Sequence, residues 1–181
     1  MKQLICISFL SVYFSFFGPH FSFAQGPQFQ KEKDIHSQWT ITASKTEGIK
    51  KGDVITLTIT VKPDKGWNLY SSNAKGEIAF LATSFSLAEE SQGIELSGEL
   101  KDGNDPHEEV DDIMGGIIRH FDEGQEVSYT QEIKIISTKF SLTGNINGQI
   151  CFKDGMCVMM NGKIVWRGKF KHIKAESKTI D

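Results

Sequence analysis

Residues 140–158 read FSLTGNINGQICFKDGMCV, and their parity decides the fold. Phe140, Leu142, Gly144, Ile146, Gly148, Ile150 and Phe152 fall on alternate positions, the signature of a strand with one buried face. Cys151 has the opposite parity and points to the other face. Asp154-Gly155 then marks a turn, and two loop lengths compete for it. A two-residue Asp-Gly loop pairs Cys151 with Val158. A three-residue loop, Lys153-Asp154-Gly155 with glycine in the left-handed position, pairs Cys151 with Cys157. Opposed residues in an antiparallel pair have Cα atoms about 4.5–5.5 Å apart, so the second register permits a disulfide.

The same period runs through most of the chain outside this hairpin. Ile55, Leu57, Ile59 and Val61 alternate with Thr56, Thr58 and Thr60, a half-buried strand with threonine on its wet face. Val127, Tyr129, Ile133 and Ile135 repeat the pattern with a gap at Gln131, as do Ile164, Trp166, Gly168 and Phe170. Weaker strand candidates are 38–43, 67–71, 79–87, 93–100 and 117–121. Turn signals are Lys51-Gly52-Asp53, Pro63 to Gly66, Asp102 to Pro106, Asp122-Glu123-Gly124, Asn147-Gly148 and Asn161-Gly162. The polar stretch 101–112 (KDGNDPHEEVDD) reads as a loop. No segment offers a capped 3.6-residue period. About seven to nine short strands without a long helix predict an all-β, antiparallel sandwich over 37–172.

The chain begins with a targeting pattern. Lys2 precedes an apolar run from Leu4 to Phe17, Gly18-Pro19 ends it, and Ser22 and Ala24 provide small residues before Gln25. Residues 1–24 therefore read as a cleaved secretory signal. The run is shorter than the ~20 residues that a membrane helix needs. Cys6 leaves with the signal, so the exported form keeps Cys151 and Cys157 and has no membrane span. Residues 25–36 (QGPQFQKEKDIH) carry no apolar periodicity and read as a flexible lead-in, and 173–181 as a frayed tail. Export implies an oxidising compartment in which neighbouring thiols pair.

Composition excludes several functions. With 181 residues, 39% apolar and 24% charged, the chain lies outside the disordered and multi-span classes. Twenty basic against 23 acidic residues give no basic stripe, so nucleic acid is not an expected partner. The histidines lack zinc spacing, the acidic loop lacks the EF-hand pattern, and no serine has a nucleophile-elbow context. No cofactor is expected. Cys151, Met156, Cys157, Met159 and Met160 form a soft-ligand cluster of the kind that holds Cu(I), or else the methionines simply pack in the core. The cysteine pair is either a staple or a redox couple. Closing a seven-residue loop stabilises by only about 2.4 kcal/mol in the chain-entropy picture, which makes it a poor staple.

Three pieces of sequence, in order, carry a family resemblance. They are Gly66-Trp67-Asn68-Leu69-Tyr70, His107 to Gly115 (HEEVDDIMG), and the C-x5-C hairpin from Cys151 to Cys157. Together they resemble the N-terminal periplasmic domain family of the thiol:disulfide interchange protein DsbD, over residues 37 to 171. The resemblance implies an immunoglobulin-like sandwich that shuttles electrons in the disulfide isomerisation and cytochrome c biogenesis pathways. It takes them from thioredoxin-like proteins or domains and passes them to periplasmic disulfide isomerase-type acceptors. By position, Cys157 matches the cysteine that forms mixed disulfides and Cys151 its resolving mate. Tyr70 matches a pocket tyrosine, and Asp111 and Asp112 an acidic pair near the thiols. Such carboxylates raise a thiol pKa and restrain it until a partner docks. Ile113 and Met114 stand at the cap tip where the family commonly has an aromatic residue, and Val158-Met159-Met160 where prolines often follow. A non-redox binding or adhesion sandwich with an inert disulfide is the alternative reading.

Overall fold

The structure is a computed structural model that describes residues 26–31, 36–74, 76–111 and 116–169. The strands are β1 (Gln28–Lys31), β2 (Ser37–Ala43), β3 (Val54–Pro63), β4 (Trp67–Leu69), β5 (Ser84–Leu87), β6 (Ile94–Asp102), β7 (His107–Asp111), β8 (Gly116–His120), β9 (Val127–Ile135), β10 (Lys139–Phe152) and β11 (Cys157–Lys169). A short 3₁₀ helix, Gly76–Leu81, lies between β4 and β5. All strand pairs are antiparallel. One sheet runs β1-β11-β10-β4, with β5 also on β10, and a second runs β2-β3-β9-β6. Strands β7 and β8 form a separate two-stranded hairpin. The chain is thus all-β with antiparallel sheets, as the period-two pattern predicts.

Both larger sheets feed one apolar core. Ile55, Leu57, Ile59 and Val61 of β3 and Tyr129, Ile133 and Ile135 of β9 cluster with Leu142, Ile146 and Ile150 of β10 and Ile164 and Trp166 of β11. Each fully buried aliphatic side chain contributes about 1.5–3 kcal/mol, so this cluster dominates the stability. The gap at Gln131 has a structural cause. The side chain is buried in the apolar parity, opposite a register shift in β6 between Ser97 and Lys101. Its amide donates to the Gly98 and Glu132 carbonyls at 3.1 and 2.9 Å. A buried carboxamide is tolerated because it satisfies backbone acceptors.

Several local readings are corrected. Asn147-Gly148 and Asn161-Gly162 are not turns; they lie inside the long hairpin, with Asn147 opposite Asn161. Glycine is needed there for space. A Cβ at Gly144 would collide with the Phe85 ring, and one at Gly162 with the Phe29 ring. The aromatic rings lie directly on the sheet where no side chain intervenes. Residues 107–111 form a strand, although 101–112 reads as a loop. All but Asp111 of that strand are exposed, so it has no apolar face to mark it. Of the stretch 79–87, the first part is 3₁₀ helix and only Ser84–Leu87 is strand.

The stretch 25–36 also holds more order than a flexible lead-in implies. Gln28–Lys31 pairs with β11 from Val165 to Gly162, and Phe29 stacks on Trp39 with ring centroids 4.6 Å apart. A four-residue strand held by one aromatic side chain gives no periodicity to detect. Residues 1–24, read above as a secretory signal, and 173–181, read as a tail, lie outside the described residues. Among those residues no helix is long and apolar enough to cross a membrane.

Gly144→Ala should lower the unfolding free energy by about 1–3 kcal/mol, the usual cost of forcing an extra methyl group into a packed core. In a Phe85→Ala background the ring is gone and the same change should cost much less. Urea denaturation of the four proteins measures both; equal costs would contradict the seating of Phe85 on Gly144.

Candidate functional site

The turn between β10 and β11 builds the site. Gly155 N–H donates to the Phe152 carbonyl at 2.8 Å and Phe152 N–H to the Met156 carbonyl at 2.7 Å. Gly155 has φ of 88°, the left-handed conformation that a three-residue loop requires at this position. With Phe152 and Met156 hydrogen-bonded, the next rung outward is a non-hydrogen-bonded pair, which brings side chains closest together. That rung is Cys151 opposite Cys157. Their Cα atoms are 4.1 Å apart and the sulfurs are bonded. Of the two loop lengths, the chain adopts the one that opposes the cysteines.

Neighbouring strands hold the hairpin end in place. Lys153 N–H donates to the Gly66 carbonyl at 3.0 Å, tying the turn to the start of β4. Trp67 pairs with Phe152 and contacts its ring at 5.4 Å between centroids. His36 stacks on the other side of Trp67 at 4.1 Å. These contacts lie on the parity of Phe152; the cysteines occupy the other.

The two sulfurs have different surroundings. Cys151 lies on β10, which is flanked by β11 on one side and β4 on the other, and is only 5% exposed. Cys157 lies on β11 and is exposed. Among the described residues, strand β1 pairs with the outer edge of β11 from Gly162 to Val165. Cys157 Sγ lies 3.8 Å from the Gly155 carbonyl oxygen.

Tyr70 and Asp111 come together on the β4 side. Asn68 is directly opposite Cys151, and Tyr70 follows two residues later on the same parity. The Tyr70 carbonyl accepts hydrogen bonds from the Thr83 hydroxyl at 2.7 Å and the Tyr129 hydroxyl at 2.8 Å. An isolated bridge joins Tyr70 to His120 and attaches the β7–β8 hairpin at this point. Burial pushes the Tyr70 phenol above its ordinary value, and the charges of Asp111 and then Glu109 push it further. Asp111, at the end of β7, is thus near enough for its charge to act on the Tyr70 phenol. Asp112, Ile113 and Met114 lie outside the described residues.

The base of that hairpin contains residues that sequence spacing does not reveal. His107 and His120 are cross-strand partners with rings 6.2 Å apart. His107 Nε2 lies 3.1 Å from Asp122, His120 Nε2 3.6 Å from Glu109, and Arg119 Nε 2.7 Å from Glu108. Arg119 also donates to the Asn73 carbonyl at 3.0 Å. Their only sequence signal is the matched spacing of two short segments about one turn. Among the described residues, no three histidine, cysteine, aspartate or glutamate side chains are grouped to hold a metal ion.

Comparison of the chain with protein-family models, curated proteins and solved structures gives no match in any of the three.

The Tyr70 environment has a pH consequence. A phenol whose folded pKa is raised stabilises the fold fully below its ordinary value of about 10, and that contribution is lost as pH rises through the raised value. Asp111→Asn should lower the Tyr70 pKa toward the ordinary value while leaving Tyr129, where burial dominates, still raised. Spectrophotometric titration of tyrosinate checks this; an unchanged Tyr70 would contradict the effect of the Asp111 charge on it.

Proposed function

We propose that this chain is an exported, periplasmic thiol–disulfide interchange module of the kind found at the N-terminus of DsbD, with an immunoglobulin-like sandwich as its scaffold. The observation that carries this reading is the unequal exposure of one disulfide: Cys157 faces solvent while Cys151 is buried on the same rung. Exchange requires a thiolate to reach one sulfur along the S–S axis while the other sulfur leaves. Only Cys157 offers that approach, and the departing Cys151 stays within the sheet, opposite it and ready to return. The three ordered motifs and the two sheets sharing one core support the same reading.

The chemistry balances simply. A thiolate of a dithiol partner attacks Cys157 Sγ, forming an intermolecular disulfide and releasing Cys151 as a thiolate, which takes up a proton. The partner's second thiolate then attacks its own bonded sulfur. The partner leaves oxidised, and Cys157 departs as a thiolate that is protonated in turn. Two electrons and two protons have entered the rung. Running the steps in reverse passes them to an oxidised acceptor of the disulfide isomerase type. Tyr70 follows Asn68 on the parity of the rung, and the family resemblance assigns Asp111 to the neighbourhood of the thiols, where a carboxylate opposes thiolate formation between encounters.

Energetics favour exchange over stapling. About 2.4 kcal/mol for a loop of this length is no more than one buried aliphatic side chain contributes, and the core holds many. Cys151→Ser leaves Cys157 without its resolving mate, so the variant should accumulate a mixed disulfide with a thioredoxin-like partner. Cys157→Ser should accumulate far less, because the remaining sulfur is covered. Non-reducing gels of both variants incubated with oxidised thioredoxin-like protein measure this. Equal trapping would contradict the unequal roles of the two sulfurs, and none by either would favour the non-redox binding sandwich with an inert disulfide.

A further inference from the structure

Methionine supplies the remaining chemistry of this hairpin. If Met156, Met159 and Met160 were all gap-fillers, they would be buried. Met160 is, at 0% exposure, and it sits opposite Gly148 in the core parity. Met156 and Met159 instead expose 56% and 55% of their surface. Met159 has the parity of Cys157 and lies two residues along β11, about 7 Å away by strand rise, on the outer face. Met156 precedes Cys157 at the turn. Gln149, opposite Met159, and Asn68, opposite Cys151, place side-chain amides on the same face. Core packing therefore accounts for one methionine and leaves two thioethers beside the accessible cysteine.

We propose that the reduced hairpin is a binding site for a soft monovalent cation, Cu(I), with Cys151 and Cys157 as thiolate ligands and Met159, assisted by Met156, as thioether ligand. Thiolate and thioether donors together select Cu(I) over the harder divalent ions. The ladder holds the two cysteines on one rung with Cα atoms 4.1 Å apart, so a metal ion can take the place of the S–S bond without a change of register. Binding requires the reduced pair. A dithiol donor supplies two electrons and two protons and becomes a disulfide; Cu(I) then displaces the two thiol protons and keeps its own oxidation state. The disulfide and the copper complex are thus mutually exclusive states of the same rung. In the cell the inference draws its dithiol donor from the exchange chemistry proposed above, but the site can be tested without any partner.

The experiment uses the exported form reduced with a water-soluble phosphine, which becomes the phosphine oxide with oxygen from water. After anaerobic desalting, Cu(I) is titrated in competition with a chromophoric Cu(I) chelator. Reduced protein should bind one Cu(I) per chain, and oxidised protein should not compete. Met156→Leu with Met159→Leu keeps the apolar surface but removes both thioethers. It should weaken Cu(I) binding by at least about 10–100-fold, the loss seen even for outer-shell partners of a metal. Equal affinity of the leucine variant and the parent would overturn the site and mark the methionines as a protein-docking surface. Equal binding by oxidised protein, or no binding by reduced protein, would overturn it too. Thermal unfolding of the leucine variant should match the parent, since both side chains are exposed. Because no thioredoxin-like protein is present, failure here leaves the exchange reading intact, and failed trapping leaves the copper site intact.

Discussion

The three-residue turn at Lys153, Asp154 and Gly155 fixes the register of the longest hairpin in the molecule, from Cys151 opposite Cys157 back to Lys139 opposite Lys169. A slip of one residue along such a ladder would transfer every side chain to the other face. Ile146 and Ile150 would leave the core, and the Phe29 and Phe85 rings would meet side chains in place of Gly162 and Gly144. The cysteines would no longer share a rung. Gly155 permits the turn, and the Lys153–Gly66 hydrogen bond ties it to β4. Register is thus over-determined from the turn, the core face and the glycine seats at once.

The chemistry follows from where that register places two sulfurs within the sheet. Cys151 is buried on β10, between β11 and β4, and Cys157 is exposed on β11, although the two are directly opposed. The same geometry leaves Met159 outward and Met160 inward. The two proposals, redox exchange and soft-metal capture, rest on the same unequal rung, one on its disulfide and the other on its dithiol. The β7–β8 hairpin approaches from the opposite side, attached at Tyr70 and bearing Asp111 at the end of β7. The carboxylates of Asp111 and Glu109 add to burial in raising the pKa of the half-buried Tyr70 phenol.

Much of the fold was legible because burial writes itself as parity. The runs at 55–61, 127–135 and 140–152 each have one wet and one dry face, and the loop length could be narrowed to two choices. What escaped notice lacked that contrast. Strand β7 is polar on both faces because it pairs only within its own hairpin, and β1 carries a single anchoring aromatic residue. Asn-Gly pairs are strong turn signals, yet two of them lie within strands, where a Cβ would crowd Met160 and Thr83 at Gly148 and collide with the Phe29 ring at Gly162. At the site, the opposed cysteines were readable from spacing as one of two registers, whereas the effect of Asp111 on Tyr70 was not. The unequal exposure of the sulfurs was not readable either, since it depends on which strands flank β10.

The reduction potential of the Cys151–Cys157 bond tests the central claim most directly. Equilibration with glutathione or thioredoxin-like redox buffers, followed by quantitation of free thiols, gives the value. A shuttle with an exposed sulfur and a short closed loop should have a potential above about −300 mV, where thioredoxin-like dithiols can exchange electrons with it. A potential below about −300 mV would mark a resistant structural bond and contradict the electron-carrying role.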